Sequence, residues 1–504
     1  MIDSPTTPPT TPTPDSPPPP SGKRRGLNPF AGLPNPKEVW AWGMYDFANQ
    51  SFTLLIITLL FSMYVQTVVT VQPELSAETI AYLESAKEMV SSSSSQAPSA
   101  TPKVLAELEA RDEALQLGKW NWSLMHGSSY LIVVLLSPFV GALADIRGWR
   151  KQFLVGSGLL CCALTASLAG VRPGMLALAA LLYIPANVCY QIGENFLASF
   201  LPGVSTPRTI GKVSAMGWTM GYIGALGLLI FSLVGMLVFG WREPSSWSPF
   251  FIFAAVWFLL GMAAPSLILK NDTPLAGAKD HGLATESIGR VIETIRHASR
   301  YKHLMRFLLA FFVFGFGVQV IIGFASIIAG SFGFGQEQLI IFVAQITVTA
   351  GIAAAATAVF QDRIGARTTV MLYLGVWLAA CLGLILTKLA WPTAGPQWPL
   401  WIVGNLLGFG LGGIGTASRS MVARFTPAHR TAEFFGLWGM TYKLAAAVGV
   451  LSFGAVARYL GDLASLILLG SFFFVGLLLM IPVNETRGVR AAKRTERDHA
   501  MNSA

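Results

Sequence analysis

The stretch Gly141-Ala-Leu-Ala-Asp145-Ile-Arg-Gly148-Trp-Arg150-Lys151 closes one long apolar run, and a thinner copy, Asp362-Arg-Ile-Gly365-Ala-Arg367, closes another later in the chain. Its chemistry is readable from the residue types. A carboxylate at the end of one helix accepts hydrogen bonds from the exposed amides at the start of a neighbouring helix. Glycine permits the tight turn between them, and the cations grip nearby carboxylates and lipid phosphate. Two further echoes follow. Glu194 lies eight residues before Pro202, as Arg419 lies eight before Pro427, and Trp218 to Tyr222 matches Trp438 to Tyr442. A chain that repeats itself loosely in this way reads as two related halves.

Of 504 residues, 53% are apolar and 12% charged, against about a quarter charged in a soluble domain. Water is not the main solvent of such a chain. The net charge of +9 sits in short clusters at the ends of apolar runs, as orientation signals do, which excludes a nucleic-acid partner. Cys161, Cys162, Cys189 and Cys381 all fall inside apolar runs without metal-ligand spacing, so they read as small buried thiols. The opening residues to about Pro36 are rich in Pro, Thr and Ser and read as a disordered tail, with Lys23, Arg24 and Arg25 close to anionic lipid.

Apolar runs fall at about 39–69, 121–144, 153–171, 174–200, 212–239, 248–269, 304–331, 337–360, 369–389, 398–423, 433–457 and 463–483. Each is long enough to span a bilayer. They lack the alternation of a lipid-facing barrel, and a lone strand would leave its polar groups unpaired in hydrocarbon, so all twelve are predicted to be helices. The cations cluster at Lys23–Arg25, Arg147–Lys151, Arg208–Lys212, Arg290–Arg306, Arg363–Arg367, Arg424–Arg430 and Arg487–Arg497. Under a twelve-span count all these clusters share one face, which the positive-inside rule makes cytoplasmic, together with both termini. The expected organisation is a tail over 1–36, a six-helix lobe over 37–269, a linker over 270–303, a second lobe over 304–484 and a basic tail over 485–504. Residues 70–119 form an outward insertion whose two ends, near 77–90 and 103–117, have the composition of short surface helices. They suit a lid or a passive insertion. In the linker, Ile288, Val291, Ile292 and Ile295 give an amphipathic, interfacial helix over Glu286–Lys302.

The segment around Asp145 resembles the signature loop of the major facilitator superfamily, in which this cluster acts as a cytoplasmic latch that breaks as the lobes rock. The residue after the aspartate is usually basic there; here it is Ile146, leaving Arg147 or Arg150 to make its contact. Within that superfamily the chain is most similar to the vacuole-effluxer group, which contains fungal autophagy-related amino-acid exporters and bacterial relatives. The residues that carry the likeness are Trp42–Phe52 (WGMYDFANQSF), Phe200–Tyr222 (FLPGVSTPRTIGKVSAMGWTMGY), Ala417–Arg424 (ASRSMVAR) and Thr431–Leu437 (TAEFFGL). It runs from Trp40 to Arg487 and implies a bacterial-type member exporting amino acids or similar small metabolites. One departure stands out. Where the family pattern places an Asn-Asp pair before Gly317, this chain has Gly315 and Phe316.

Ionisable groups inside a span cost ~2.5 kcal/mol or more and need a reason. Four stand out here: Asp46, Glu194, Arg419 and Lys443. Asp46 lies ~10 Å into the first span, flanked by Tyr45, Asn49 and Gln50, and suits either a packing anchor or a titrating site that couples solute to protons. Glu194 and Arg419 are repeat-equivalent and of opposite sign, which predicts a gate, a direct substrate contact or two unrelated local pairs. Lys443, deep in the eleventh span, suits a solute carboxylate or a neighbouring carbonyl. Gln191, Asn195, Gln319, Gln345 and Asn405 are candidate pathway or interhelical hydrogen-bonding groups. Tyr64, Tyr190 and Phe316 offer, with Tyr45, either an aromatic wall or packing. The latch candidates are Asp145, Gly148, Arg150, Asp362, Gly365 and Arg367. The glycines 408, 410, 412, 413 and 415 make the tenth span thin.

No nucleotide loop, metal cluster or nucleophile–base pair is apparent, so no cofactor, no metal and no enzymatic activity are expected. The expected fold is an all-α membrane protein of twelve helices in two pseudo-symmetric six-helix lobes, multi-pass in a bacterial inner membrane and monomeric. The expected function is secondary transport of a small solute by alternating access, with protons a candidate coupling ion and membrane lipid a partner. Two alternatives stay open: a non-transporting receptor or scaffold on a transporter fold, and a carrier of lipid or cell-envelope precursors.

Overall fold

The computed structural model describes residues 33, 35–92, 100–205, 210–270, 296, 301–391, 396–427 and 431–503. The amino-terminal tail and nearly all of the amphipathic stretch expected over Glu286–Lys302 lie outside the described residues, as do the side chains of Asp145 and Asp362. Every regular element among the described residues is helical. The long helices are α1 (Pro36–Val69), α2 (Ala77–Ser92), α3 (Pro102–Arg147), α4 (Arg150–Ser167), α5 (Leu176–Val204), α6 (Ile210–Leu237) and α7 (Ser248–Ile268). They are followed by α8 (Lys302–Gly330), α9 (Gln336–Ile364), α10 (Ala366–Ala390), α11 (Trp398–Phe425), α12 (Thr431–Met480) and α13 (Glu485–Ser503).

Eleven of these runs are long and apolar enough to cross a membrane, and α12 crosses twice. Its 50 residues would reach ~75 Å if straight, more than twice a ~30 Å hydrocarbon core. The run breaks at Gly461, whose φ of 83° and ψ of 178° belong to a region that side chains rarely enter. The two limbs of α12 are the eleventh and twelfth spans, completing two lobes of six: α1 and α3–α7, then α8–α12. Within them the first and seventh spans are the most enclosed, with 83% of the apolar window of α1 and 72% of that of α8 buried against 33–56% elsewhere. Equivalent helices thus sit at the heart of each lobe. Leu181, Leu135, Ile230, Leu260 and Leu267 point outward, the apolar girdle that lipid requires.

Two features differ from the expectation. The second end of the 70–119 insertion is not a separate surface helix; it is the first part of α3, a single helix of 46 residues capped by the Thr101 hydroxyl, which accepts from the Val104 N–H. Helix-favouring residues run without a break from Pro102 into the second span, so the span projects well beyond the bilayer. The first span also departs from an α-helix, widening into π-turns over Ser51–Leu59 and Val65–Val69, where Leu60 N–H donates to Leu55 O at 2.8 Å. Such turns gather at functional sites.

Glycines of α11 let neighbouring helices approach. A Cβ at Gly412 would lie 1.9 Å from the Ala350 carbonyl oxygen, and one at Gly413 2.0 Å from the Tyr373 ring, whereas Gly415 has open space. Two substitutions should therefore act with opposite sign. Gly412→Ala should lower the thermal unfolding temperature in detergent, by the ~1–3 kcal/mol typical of overpacking. Gly415→Ala should raise it slightly, by the ~0.5–1 kcal/mol of helix entropy. Equal effects would refute this packing account.

Candidate translocation site

Glu194 of α5 stands where the two lobes meet. The Asn49 side-chain amide of α1 donates to its Oε1, and the charges of Lys443 and Arg419, both from the second lobe, act on it. Asp46, one turn before Asn49, interacts electrostatically with Glu194 and Arg419. Its carboxylate reaches the α6 backbone because Gly217 has no side chain, a Cβ there falling 2.6 Å from Oδ2. The four ionisable groups singled out in the sequence are thus brought together, two anions from one lobe and two cations from the other.

Each cation bonds across the lobe boundary. The Lys443 ammonium donates to Asn195 Oδ1 and, at 3.4 Å, to the Gln191 carbonyl of α5. The Arg419 guanidinium donates to Ser214 Oγ of α6 at 2.9 Å and lies 5.3 Å from the Trp218 ring and 6.0 Å from that of Trp438, contacts that offset its desolvation. Among the described residues no hydrogen bond or ion pair joins Glu194 to Arg419 directly.

Behind Glu194, α5 carries a polar residue every fourth position. Tyr183 OH meets His126 Nδ1 at 2.8 Å, Asn187 donates to Ser129 Oγ at 2.6 Å, Gln191 to Tyr130 OH at 3.1 Å and Asn195 to Ser137 Oγ at 3.1 Å. The four-residue spacing is the signal a sequence reading could have used, since it puts all four on one face. At ~0.6 kcal/mol per interhelical bond the ladder adds little stability, but it fixes the register of α3 on α5.

The other sequence candidates divide. Gln50 donates to Asn49 at 3.5 Å and so extends the cluster. Gln319 of α8 is 1% exposed and lies beside the Tyr442 hydroxyl of α12. Tyr45 is buried against Phe258 with an unpartnered hydroxyl. Tyr64 donates to the Val171 carbonyl at 2.7 Å and Thr53 to the Tyr190 hydroxyl at 2.5 Å, both within the first lobe. Phe316 packs on Phe312 and Phe472, and Gln345 and Asn405 bond the Trp401 carbonyl; these three belong to packing in the second lobe. All four cysteines are free and buried.

The latch loops differ between the halves. Gly148, with φ 67°, ends α3 in a left-handed cap, and Arg147 lies 5.3 Å from the Trp149 ring. Arg150 opens α4 directly after this turn. In the second half, Gly365 joins α9 to α10 with no intervening residue. There the carboxylate that holds the helix start is Glu485, which the sequence reading missed. Its Oε2 accepts the Arg367 N–H at 2.9 Å and its Oε1 the Arg424 guanidinium at 2.8 Å. An acid in the first turn after the last span was its only sequence signal.

At the end of the bundle remote from both termini, the lobes are sealed together. Ser62 and Ser326 hydroxyls meet at 3.0 Å, Trp122 Nε1 donates to the Gly323 carbonyl at 2.8 Å and Ser123 to that of Val450 at 2.7 Å. The Lys119 ammonium and the Gln116 amide of α3 both bond Asp462, the residue after the α12 break. A second cross-lobe pair, Arg242 with Glu337, stands at 3.0 Å. In both pairs the first lobe supplies the cation.

Comparison with known proteins agrees with this architecture. Residues 34–493 match the family described as "Vacuole effluxer Atg22 like". The MFS-type transporter YxiO of Bacillus subtilis, itself described as uncharacterized, is 25% identical over 468 residues, 89% of this chain and 95% of that protein. Autophagy-related protein 22 of Kluyveromyces lactis is 21% identical over 392 residues, 72% of this chain and 78% of that one. Autophagy-related protein 22-1 of Penicillium rubens is 25% identical over 307 residues, 56% of this chain but only 51% of the fungal protein. Among solved structures, the nucleoside transporter NupG superposes with a TM-score of 0.60 at 11% identity, covering 89% of this chain and 98% of that one. The D-xylose-proton symporter gives 0.59 at 13%, covering 90% and 98%. These last two share the fold. Two six-helix lobes meeting around opposed charges, and a family match across nearly the whole chain, make this a multi-pass membrane transporter of the major facilitator fold that belongs to the Atg22-like vacuole effluxer family.

Proposed function

We propose that this transporter exports amino acids or similar small zwitterionic metabolites, with the solute held between the anions of the first lobe and the cations of the second. The observation that carries the reading is the meeting of Asp46 and Glu194 with Arg419 and Lys443 across the lobe boundary. An ammonium group suits Glu194 and Asp46, and a carboxylate suits Lys443 and Arg419. Each solute charge would replace a partner that the protein itself supplies, so solute and lobe contacts compete. That competition is what couples binding to rocking.

In this reading the first lobe covers 37–269, the linker 270–303 and the second lobe 304–484, the termini lie in the cytoplasm of a bacterium, and the protein works as a monomer in the inner membrane. Positive clusters on the side of the termini support that orientation. Glu194 and Arg419 form the cytoplasmic gate, pairing when the remote end opens and separating when it is sealed, and Asp46 is the site where protons enter the cycle. The sealed remote end and the Arg419 bond to Ser214 in place of Glu194 support a structure between those states, with the cytoplasmic charges still held across the boundary.

Counterflow of labelled amino acids in reconstituted vesicles tests the substrate. Zwitterions should exchange and compete with one another; exchange of purely anionic or purely cationic solutes alone would refute the reading. Glu194→Gln should lower counterflow at least ~10-fold, because removing one member of a buried charge set costs ~3–5 kcal/mol. Glu194→Arg combined with Arg419→Glu should restore part of it, and full activity of Glu194→Gln would rule out the gate. At the sealed end, Lys119→Met should favour opening. A cysteine placed at Ser326 should then react with an impermeant maleimide roughly fivefold faster, the factor worth ~1 kcal/mol. Unchanged labelling would show that the Lys119 to Asp462 contact does not hold that end shut.

A further inference from the structure

Helix α13 begins five residues after α12 ends, and its charges are sorted by face. At 3.6 residues per turn, Lys493, Arg497, Arg490, Arg494 and Arg487 fall on one continuous arc, and all five are exposed. Gly488 and Ala492, both buried, lie on the opposite side together with the half-buried Glu485 and Glu496. Met501, 70% exposed, sits within the cationic arc. Glu485 and Glu496 therefore face the protein and the five cations face away, with the exposed Asp498 at the edge of their arc beside Arg487.

The helix is held at the level where the spans leave the membrane. A Cβ at Gly488 would lie 2.4 Å from the ring of Phe425, the last residue of α11. Glu485 ties the helix to the start of α10 and the end of α11, as described above. The preceding turn is gripped as well: Arg367 donates to the Ile481 carbonyl at 2.9 Å, Arg306 to that of Pro482 at 3.3 Å, and the Asn484 N–H to His303 Nδ1 at 3.1 Å. Three helices of the second lobe, α8, α10 and α11, thus fix α13 as a rigid projection. A fixed cationic arc beside a bilayer, with an apolar side chain among the cations, has the make-up of an interfacial helix. Anionic headgroups attract each such cation.

We propose that the cationic face of α13 is a docking surface for anionic phospholipid, and that lipid bound there steadies the second lobe through Glu485. Charge complementarity and the closeness of the membrane select lipid over a soluble partner. Because α13 is bolted to α8, α10 and α11, an occupied surface resists the tilt of that lobe, and the transport rate responds to lipid charge.

The test uses the full-length protein with phosphatidylglycerol and phosphatidylcholine as probes. Native mass spectrometry in detergent should show phosphatidylglycerol retained in preference to phosphatidylcholine. Joint Arg487→Gln, Arg490→Gln, Lys493→Gln and Arg494→Gln should weaken that preference at least ~10-fold, several cations acting together. The three Arg→Lys changes at 487, 490 and 494 should keep it, because the attraction is one of charge. Glu485→Gln should keep the lipid but lose the dependence of counterflow on the phosphatidylglycerol content of the vesicles. Equal retention of both lipids, or an unaltered preference in the Gln variant, overturns the proposal. So does loss, in that variant, of a bound protein or nucleic acid while lipid retention is unchanged.

Discussion

A charge buried inside a bilayer has to be met by protein, since moving it there alone costs several kcal/mol. In this protein the buried cations find their partners across the line between the lobes. Lys443 is met by Asn195 and the Gln191 carbonyl, Arg419 by Ser214 and the faces of two tryptophans, and, at the remote end, Lys119 by Asp462. Opening either end exposes one such set to water, which can then solvate it. Opening both ends at once would part every set and the apolar packing between them. The distribution of polar groups therefore favours states in which one end is closed, and this is the physical content of alternating access in a fold of this type.

Packing sets how sharply these states differ. Glycines on α11 bring its backbone against α9 and its face against the Tyr373 and Trp377 rings, so each lobe is a dense body that tilts as a unit rather than bending. The α3 to α5 ladder does the same for the first lobe. Individually its bonds are weak, yet each donor in hydrocarbon has only its ladder partner to turn to. Rigid lobes and a polar seam divide the labour: the first carries the movement and the second carries the choice between states.

The two halves, though related, are not used alike. The first half ends its second span in a left-handed glycine cap, whereas the second passes from α9 to α10 through a single glycine and anchors the junction with Glu485 from beyond the last span. The anions of the central cluster come from one lobe and the cations from the other. A solute with both charges, as proposed here, would meet a site whose polarity runs across the boundary. The remote insertion adds a further asymmetry, because α3 reaches past the bilayer only in the first lobe and meets Asp462 where α12 breaks.

Much of this was legible in the residues. Span number and position followed from run length and apolarity, because transfer of a helix into lipid depends on little else. The repeat was visible in Asp145 to Arg150 and Asp362 to Arg367, and the four central ionisable residues stood out because each is costly where it lies. Which partner each one takes was decided by tertiary structure. Lys443 meets Asn195, and Arg419 turns to Ser214 instead of Glu194, because helix rotation and lobe tilt set distances that no one-dimensional spacing encodes. The π-turns of α1 and the reach of Glu485 back to Arg367 and Arg424 had the same origin. Each depends on what a neighbouring helix presents, and a chain read alone has no neighbours.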